Sequence, residues 1–405
     1  MEYAELKSEL RIKVQEKIDF GKDFSDQEVE ETIDEVLLEQ EGLAICPVEI
    51  RRKLKKELFD SLRRLDILQI FVEDNSVTEI MINGKDHIFV EQDGRLRKLD
   101  VCFESVEKLQ DVIQQIVSGC NRVVNEASPI VDARLPNGAR VNIVMNPVAL
   151  NGPIVTIRRF PDKPITMEKL LQKDSLSVEA AEFLEKLVKA KYNIFISGGT
   201  GSGKTTFLNV LSHFIQVDER VITIEDSAEL QLQGLTNLVR LETRNSNVEG
   251  CREITVRELI RSSLRMRPDR IIVGEVRGAE AIDMLQCLNT GHDGSMSTGH
   301  ANSARDMLAR LENMVLMGME LPLAAIRQQI ASGVDIVVHL GRLRDKSRRV
   351  MEIVEILGCE NNEIKMNPLF LFEGLGEDSE GKIVGRLQRK GRLLRENKLK
   401  AAGLS

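Results

Sequence analysis

The chain reads as an α/β protein in which a P-loop domain on a parallel sheet follows a smaller α+β domain and a helical N-terminal extension. Three observations predict this. Beyond residue 164 the apolar runs YNIFIS, RVITIED, RIIVGE, GSMSTGH and VDIVVHL alternate with helical segments, the pattern of parallel strands joined by crossover helices. The first run leads directly into GGTGSGKTT at 198–206, a G-x-x-x-x-G-K-[ST] loop followed by the helix-forming TTFLNVLSHF. Between about 66 and 160 the runs TEIMING, HIFVEQDG, RVNIVMN and IVTIRRF are short and β-prone, with one helix near 105–120, which suits an α+β domain.

Residues 1–60 carry charge at helical spacing. In SDQEVEETIDEVLLEQ, Ser25 stands three residues before Glu28, a capping box that opens a helix. Leu54, Leu58, Leu62 and Leu65 continue an apolar stripe through RRKLKKELFDSLRRL. The other face holds Arg51, Arg52, Lys53, Lys55, Lys56, Arg63 and Arg64, which fits either a solvated helix or contact with acidic lipid or a membrane partner. The α+β domain then spans 61–160, PDKP at 161–164 reads as a linker, and the P-loop domain covers 165–375. Residues 376–405, including GRLQRKGRLLRENKLK, form a basic tail suited to a partner surface or to mobility.

A chain of 405 residues, 42% hydrophobic and 30% charged, can bury the cores of two or three domains. The net charge of −8 is local: residues 1–40 hold 13 acidic against 5 basic side chains, and the remainder balances. That balance, with 4% aromatics and no Trp, gives no generic nucleic-acid surface. No apolar stretch approaches the roughly 18–20 residues of a membrane span, and MEYAELKSEL is too polar for a signal peptide, so a cytoplasmic location is expected. Cys46, Cys102, Cys120, Cys251, Cys287 and Cys359 lack the CxxC spacing of a zinc site or disulfide framework.

The glycine loop points to a nucleoside triphosphate. Gly198, Gly199, Gly201 and Gly203, with Thr200 and Ser202 between them, let the backbone aim N–H groups at phosphates, and the next helix adds its dipole. Lys204 reaches the β- and γ-phosphates, Thr205 ligates Mg²⁺ and Thr206 continues the cradle. Downstream, RVITIEDSAEL places Glu225, Asp226 and Glu229 at a strand's C-terminal end, where carboxylates can hold the Mg²⁺ shell or a water. RIIVGE ends in Glu275, a Walker B-like glutamate able to polarise the attacking water. Gly274 stands where many P-loop ATPases carry a metal-binding Asp, so the cation must draw on Thr205 directly and on Glu229 or Glu275 through waters.

His292 and His300 flank a short strand in TGHDGSMSTGHAN, a placement that can touch the γ-phosphate or relay its loss to a neighbouring subunit. Nine arginines and no lysine fall between 240 and 277, and arginine keeps its charge when desolvated and grips phosphate bidentately. Arg240 and Arg244, in a loop-like stretch, are candidate arginine fingers across a subunit interface. Arg257, Arg261 and Arg265 share a helix face that is either solvated or interfacial.

The succession GGTGSGKT, TIEDSAEL, RPDRIIVGEVRG and TGHDGSMSTGHAN resembles the Walker A, Asp box, Walker B and His box of the type II/IV secretion ATPases (GspE-like), in that order. With RLETR, SLRMRPDR and SPIVDARLPNGARVNIVMNPVALNGPIVTIRRF, the chain is most similar to the CpaF branch, which drives assembly of Flp/Tad-type pili; the likeness covers about residues 60–375. The resemblance implies a RecA-like motor domain behind an N-terminal domain, a hexameric ring, and ATP with Mg²⁺ bound in the cleft between the domains and completed by an adjacent subunit. It further implies docking on the cytoplasmic face of a polytopic inner-membrane platform protein; the balanced charge and few aromatics lead to the expectation of no direct nucleic-acid partner. Carried over, Lys204 and Thr205 hold phosphate and Mg²⁺, Glu229 is the acidic-box carboxylate, Glu275 the catalytic glutamate, and His292 and His300 the His-box pair, with Arg240 and Arg244 as trans groups. Arg134, Arg140, Arg158 and Arg159 occupy stretches similar to the family's, and the resemblance implies that one or more of them closes over the nucleotide. The competing readings are a nucleic-acid motor of related fold and a non-hydrolysing nucleotide-switched scaffold.

Overall fold

The computed structural model describes residues 3–18, 24–40, 47–92, 94–120, 122–159, 164–244 and 252–404. The chain divides into two units, Met1–Asp162 and Lys163–Ser405. Most of the expected 161–164 linker lies outside the described residues, as do Cys46 and Cys251.

Three helices open the first unit: α1 (Tyr3–Lys17), α2 (Asp26–Glu39) and α3 (Val48–Arg63). Leu10, Val14, Val29, Ile33, Leu54 and Leu58 give them a small shared core. Ser25 and Glu28 form the reciprocal capping box at the start of α2, with Glu28 accepting the Ser25 N–H at 2.8 Å. The basic face of α3 is met by acids of the same unit. Lys55 reaches Asp34 and Glu30, Arg63 and Arg64 both reach Asp26, and Lys56 reaches Glu73. The acidic N-terminus and the basic helix thus neutralise one another, leaving less charge for a lipid surface than the bare stripe implied.

After α4 (Gln69–Glu73) come β1 (Val77–Asn83), β2 (Ile88–Gln92), β3 (Arg95–Lys98), α5 (Val106–Ser118), β4 (Ile130–Arg134), β5 (Arg140–Val144) and β6 (Ile154–Arg158). The strands form an antiparallel sheet in the order β3-β2-β1-β6-β5-β4. Alternate residues of the central strands, such as Ile80, Ile82, Val141, Ile143 and Ile157, join Leu109, Ile113 and Ile116 of α5 in one core. β3 escapes a sequence reading because its four residues are all exposed and show no alternation.

The second unit runs α6 (Met167–Gln172), α7 (Val178–Lys189), β7 (Ile194–Gly198), α8 (Lys204–Ser212), β8 (Arg220–Glu225), β9 (Asn237–Glu242), α9 (Val256–Ser263), β10 (Arg270–Val273), α10 (Ala281–Asn289), β11 (Met296–Gly299), α11 (Ala304–Gly318), α12 (Leu323–Gly333) and β12 (Ile336–Arg342). It closes with β13 (Arg348–Glu360), β14 (Glu363–Glu377), β15 (Ile383–Arg389) and α13 (Asn397–Ala401). The nine strands are ordered β15-β14-β13-β12-β7-β11-β10-β8-β9, parallel from β12 to β9 and antiparallel from β12 to β15. Helices cover both faces of the parallel part, so its strands are apolar on both sides: Ile194 and Ile196 face one core, Phe195 the other.

The segment read as a basic tail belongs to this unit. β15 pairs with β14, Leu387 and Leu393 are buried, and the buried Glu355 accepts the N–H groups of Leu394 and Arg395. In β15 the inward Leu387 lies between the exposed Arg386 and Arg389, and only the presence of β14 turns that basic run into a strand.

Candidate active site

The P-loop follows β7 at the C-terminal edge of the parallel strands, where open α/β sheets bind ligands. Gly198 ends β7, and Gly199, Thr200, Gly201, Ser202 and Gly203 make the turn into α8, with Lys204, Thr205 and Thr206 in its first turn. Gly201 and Gly203 have φ of +70° and +94°, a region that side chains with a Cβ rarely enter. Lys204 is buried, and its ammonium donates to Gly199 O at 3.1 Å.

The same ammonium stands 3.3 and 3.4 Å from the two ring nitrogens of His300, which follows β11. His300 Nε2 lies 2.9 Å from Glu275 Oε1 but is not aligned for a hydrogen bond, so that buried oxygen has no donor. Glu275 Oε2 accepts from Arg277 at 2.6 Å, and Arg277 also reaches Asp226 at 3.5 Å. Burial holds the His300 imidazole below its ordinary value, helped by Lys204, Arg277 and Arg310 and opposed by Glu275, so the ring is neutral at pH 7. Strands β7, β10 and β11 thereby bring Lys204, Glu275 and His300 together from three distant stretches of sequence.

Glu225, the last residue of β8, is buried. Its Oε2 accepts the N–H groups of Glu229 and Leu230 at 2.7 and 2.8 Å, while Oε1 has no donor. Burial pushes this carboxyl up to about 7 despite those two bonds. Glu229 sits in the loop that Glu225 holds.

Other expected residues fall elsewhere. His292 precedes β11 at the opposite edge of the sheet, its Nδ1 3.4 Å from Cys287 O; a four-residue strand places the two histidines roughly 13 Å or more apart. The pair therefore does not share one site within the chain. Arg240 is not in a loop: it lies on the edge strand β9 and donates to Leu230 O. Arg244 bridges to Ile254 and donates to Arg252 O. Neither position was readable, because VRLETR shows its pairing with β8 only in the assembled sheet. Arg257 and Arg261 both bind the buried Asp283 of α10, whereas Arg265 lies exposed beyond α9. In the first unit, Arg134, Arg140 and Arg158 lie on β4, β5 and β6, and Arg159 bonds Asp74 O and Asn75 Oδ1. Sequence reasoning passed over Arg277, although GEVRG puts it only two residues beyond Glu275, just past the end of β10.

A cavity of about 150 Å³ adjoins the loop, between Ser202, Thr206 and Phe207 on one wall and Ile165, Leu340 and the Lys346–Val350 strand start on the other. Arg348 seals one side by donating to Gly201 O at 2.9 Å. A positive helix terminus and Lys204 suit phosphate, and the donor-less Glu275 Oε1 suits a bound water.

A P-loop on the C-terminal edge of a parallel sheet, with a strand-end glutamate beside it, defines the class of P-loop nucleotide-binding proteins. Within that class, residues 62–376 match the family described as Type II/IV secretion system protein, and the chain belongs to it. A putative conjugal transfer protein of Mycobacterium tuberculosis is 33% identical over 319 residues, 77% of this chain and 90% of the relative. The type IV secretion system protein PtlH of Bordetella pertussis is 31% identical over 315 residues, 71% and 93% of the two chains. The Legionella pneumophila ATPase DotB has the same fold, with a TM-score of 0.51 at 21% identity over 72% of this chain and 79% of DotB.

Proposed function

We propose that the chain is a motor ATPase that hydrolyses ATP to drive a secretion or pilus-assembly machine. The observation that carries this reading is the convergence of Lys204, His300 and Glu275 at the N-terminus of α8. Glu275 orients the attacking water through Oε1 while Arg277 holds Oε2. Lys204 moves from Gly199 O to the β- and γ-phosphates and offsets the charge of the transferring group, and the neutral His300 spaces it from Glu275. Mg²⁺, when bound, supplies charge neutralisation across the phosphate oxygens, with Thr205 as its direct ligand and Glu229 reaching it through water. The base and ribose rest in the cavity beside Thr206 and Phe207.

The working form is a hexameric ring on the cytoplasmic face of an inner-membrane platform protein, and Arg240 or Arg244 on the edge beside β9 faces the next protomer. The stretches RLETR, SLRMRPDR and SPIVDARLPNGARVNIVMNPVALNGPIVTIRRF are what support the Flp/Tad pilus branch. The name of the mycobacterial relative favours a second reading, a motor that powers conjugal DNA transfer. Phosphate release by the purified chain, with and without single-stranded DNA, tests both. Activity lost in Lys204→Ala and Glu275→Gln supports the motor, undiminished turnover in Glu275→Gln overturns the mechanism, and strong stimulation by DNA favours the second reading.

A further inference from the structure

Gly274, the residue after β10, stands where a metal-binding Asp is common, and the space its side chain would need is already filled. A Cβ built there would lie 3.0 Å from Glu225 Cγ, and its three nearest atoms all belong to Glu225. The backbone at Gly274 has no left-handed φ, so the glycine answers to this neighbour and not to the turn. Glu225 arrives from the adjacent strand, whose Ile224 O accepts the Gly274 N–H at 2.8 Å.

We propose that Glu225 is a positioning residue that fixes the acidic loop 226–230, and with it Glu229, and that Gly274 leaves room for it to do so. Leu230 is gripped from two sides: its N–H donates to Glu225 Oε2 at 2.8 Å, and its C=O accepts from Arg240 at 3.1 Å. Glu229 is held through its own N–H at 2.7 Å. Two carboxylate bonds and one guanidinium bond on consecutive peptide units leave that backbone little freedom, so the direction of the Glu229 side chain is set by Glu225. The β8 glutamate takes up, from one strand away, the space that the Walker B position gives up.

The consequence for Mg²⁺ rests on the proposed role of Glu229, and the experiment separates the two. Hydrogen exchange at the amides of Glu229 and Leu230 in the full chain reports the bracket without nucleotide. The Mg²⁺ concentration for half-maximal binding of a fluorescent ADP reports its effect on the cation. Glu225→Ala should speed exchange at both amides and raise the Mg²⁺ requirement about tenfold or more, the effect of losing a group that orients a metal ligand. Glu225→Gln keeps a carbonyl acceptor and should stay near wild type in both. Gly274→Ala should imitate Glu225→Ala in part, and the double variant should be no worse than Glu225→Ala alone, because both changes act on one contact. Unchanged exchange in Glu225→Ala, or additive losses in the double variant, overturn the proposal. A Glu225→Gln variant as impaired as Glu225→Ala also overturns it and makes the carboxylate a direct participant. If Glu229→Ala leaves the Mg²⁺ requirement unmoved while Glu225→Ala still frees the two amides, the assignment of Glu229 fails and the bracket stands.

Discussion

The two edges of the parallel sheet use buried charge in opposite ways. At the N-terminal edge, Arg270, fully buried at the start of β10, makes paired 2.7 Å bonds to both oxygens of Glu219 and donates to Val188 O and Gly294 O. Beside it Asn193 donates to Gly333 O, Leu288 O and Asp335, and its Oδ1 accepts from Gly294 and Ser295. Lys398 of the last helix joins Asp335 to Asp293. At the C-terminal edge Glu225 and Glu275 each keep one buried oxygen without a donor, and Thr223 Oγ1 on β8 is left in the same state. A saturated edge holds its shape alone, whereas an edge with buried acceptors to spare has room for a ligand.

The largest expected contrast is at Glu275. Replacing it by Gln should slow phosphate release by about 10²–10⁴-fold, the usual contribution of a general base, with a urea midpoint close to wild type. A variant that loses activity and folding together would erase the distinction between the edges. Arg270→Ala inverts the pattern. It strands the Glu219 carboxylate and should lower stability by about 3–5 kcal/mol in equilibrium unfolding, while the folded fraction still binds nucleotide. Asn193→Ala leaves several backbone groups unsatisfied and should cost about 2–3 kcal/mol, again without a specific effect on turnover.

The smallest effect tests the join between the two behaviours. His339 on β12 is buried, with Nδ1 2.9 Å from Ser197 Oγ on the P-loop strand. Burial lowers its affinity for a proton; Glu352 and Asp306 oppose this and Lys204 reinforces it. The folded chain then binds fewer protons here than the unfolded one, so the stability from this residue is complete above the ordinary value of 6.5 and is lost as pH falls below it. Unfolding free energies between pH 7.5 and 5 should fall more steeply for the wild type than for His339→Gln, by up to about 1.4 kcal/mol per pH unit. Parallel curves would show that His339 carries no charge penalty.

Much of this was readable because it is local. The P-loop is a strand, a turn and a helix contiguous in sequence, and YNIFIS, RVITIED and RIIVGE are apolar on both faces because the parallel strands they form are covered twice. Arginine bias was read less well. Arg257 and Arg261 were expected on a solvated or interfacial face, yet both are engaged by Asp283, and Arg270, given no role, is held by Glu219. A charged residue looks the same in a sequence whether its partner is a ligand or a carboxylate fifty residues away.

The amino-acid sequence by itself determined the α/β class, the nucleotide loop and the strand-end carboxylates, since each depends on the spacing of neighbours along the chain. Only the tertiary structure decided that His300 meets Lys204 and Glu275, that Arg270 pairs with Glu219, that Glu225 fills the space beside Gly274, and that the final basic segment is a strand. These are contacts between residues far apart in the chain, set by the order in which strands assemble, and strand order leaves no periodic mark in any one segment.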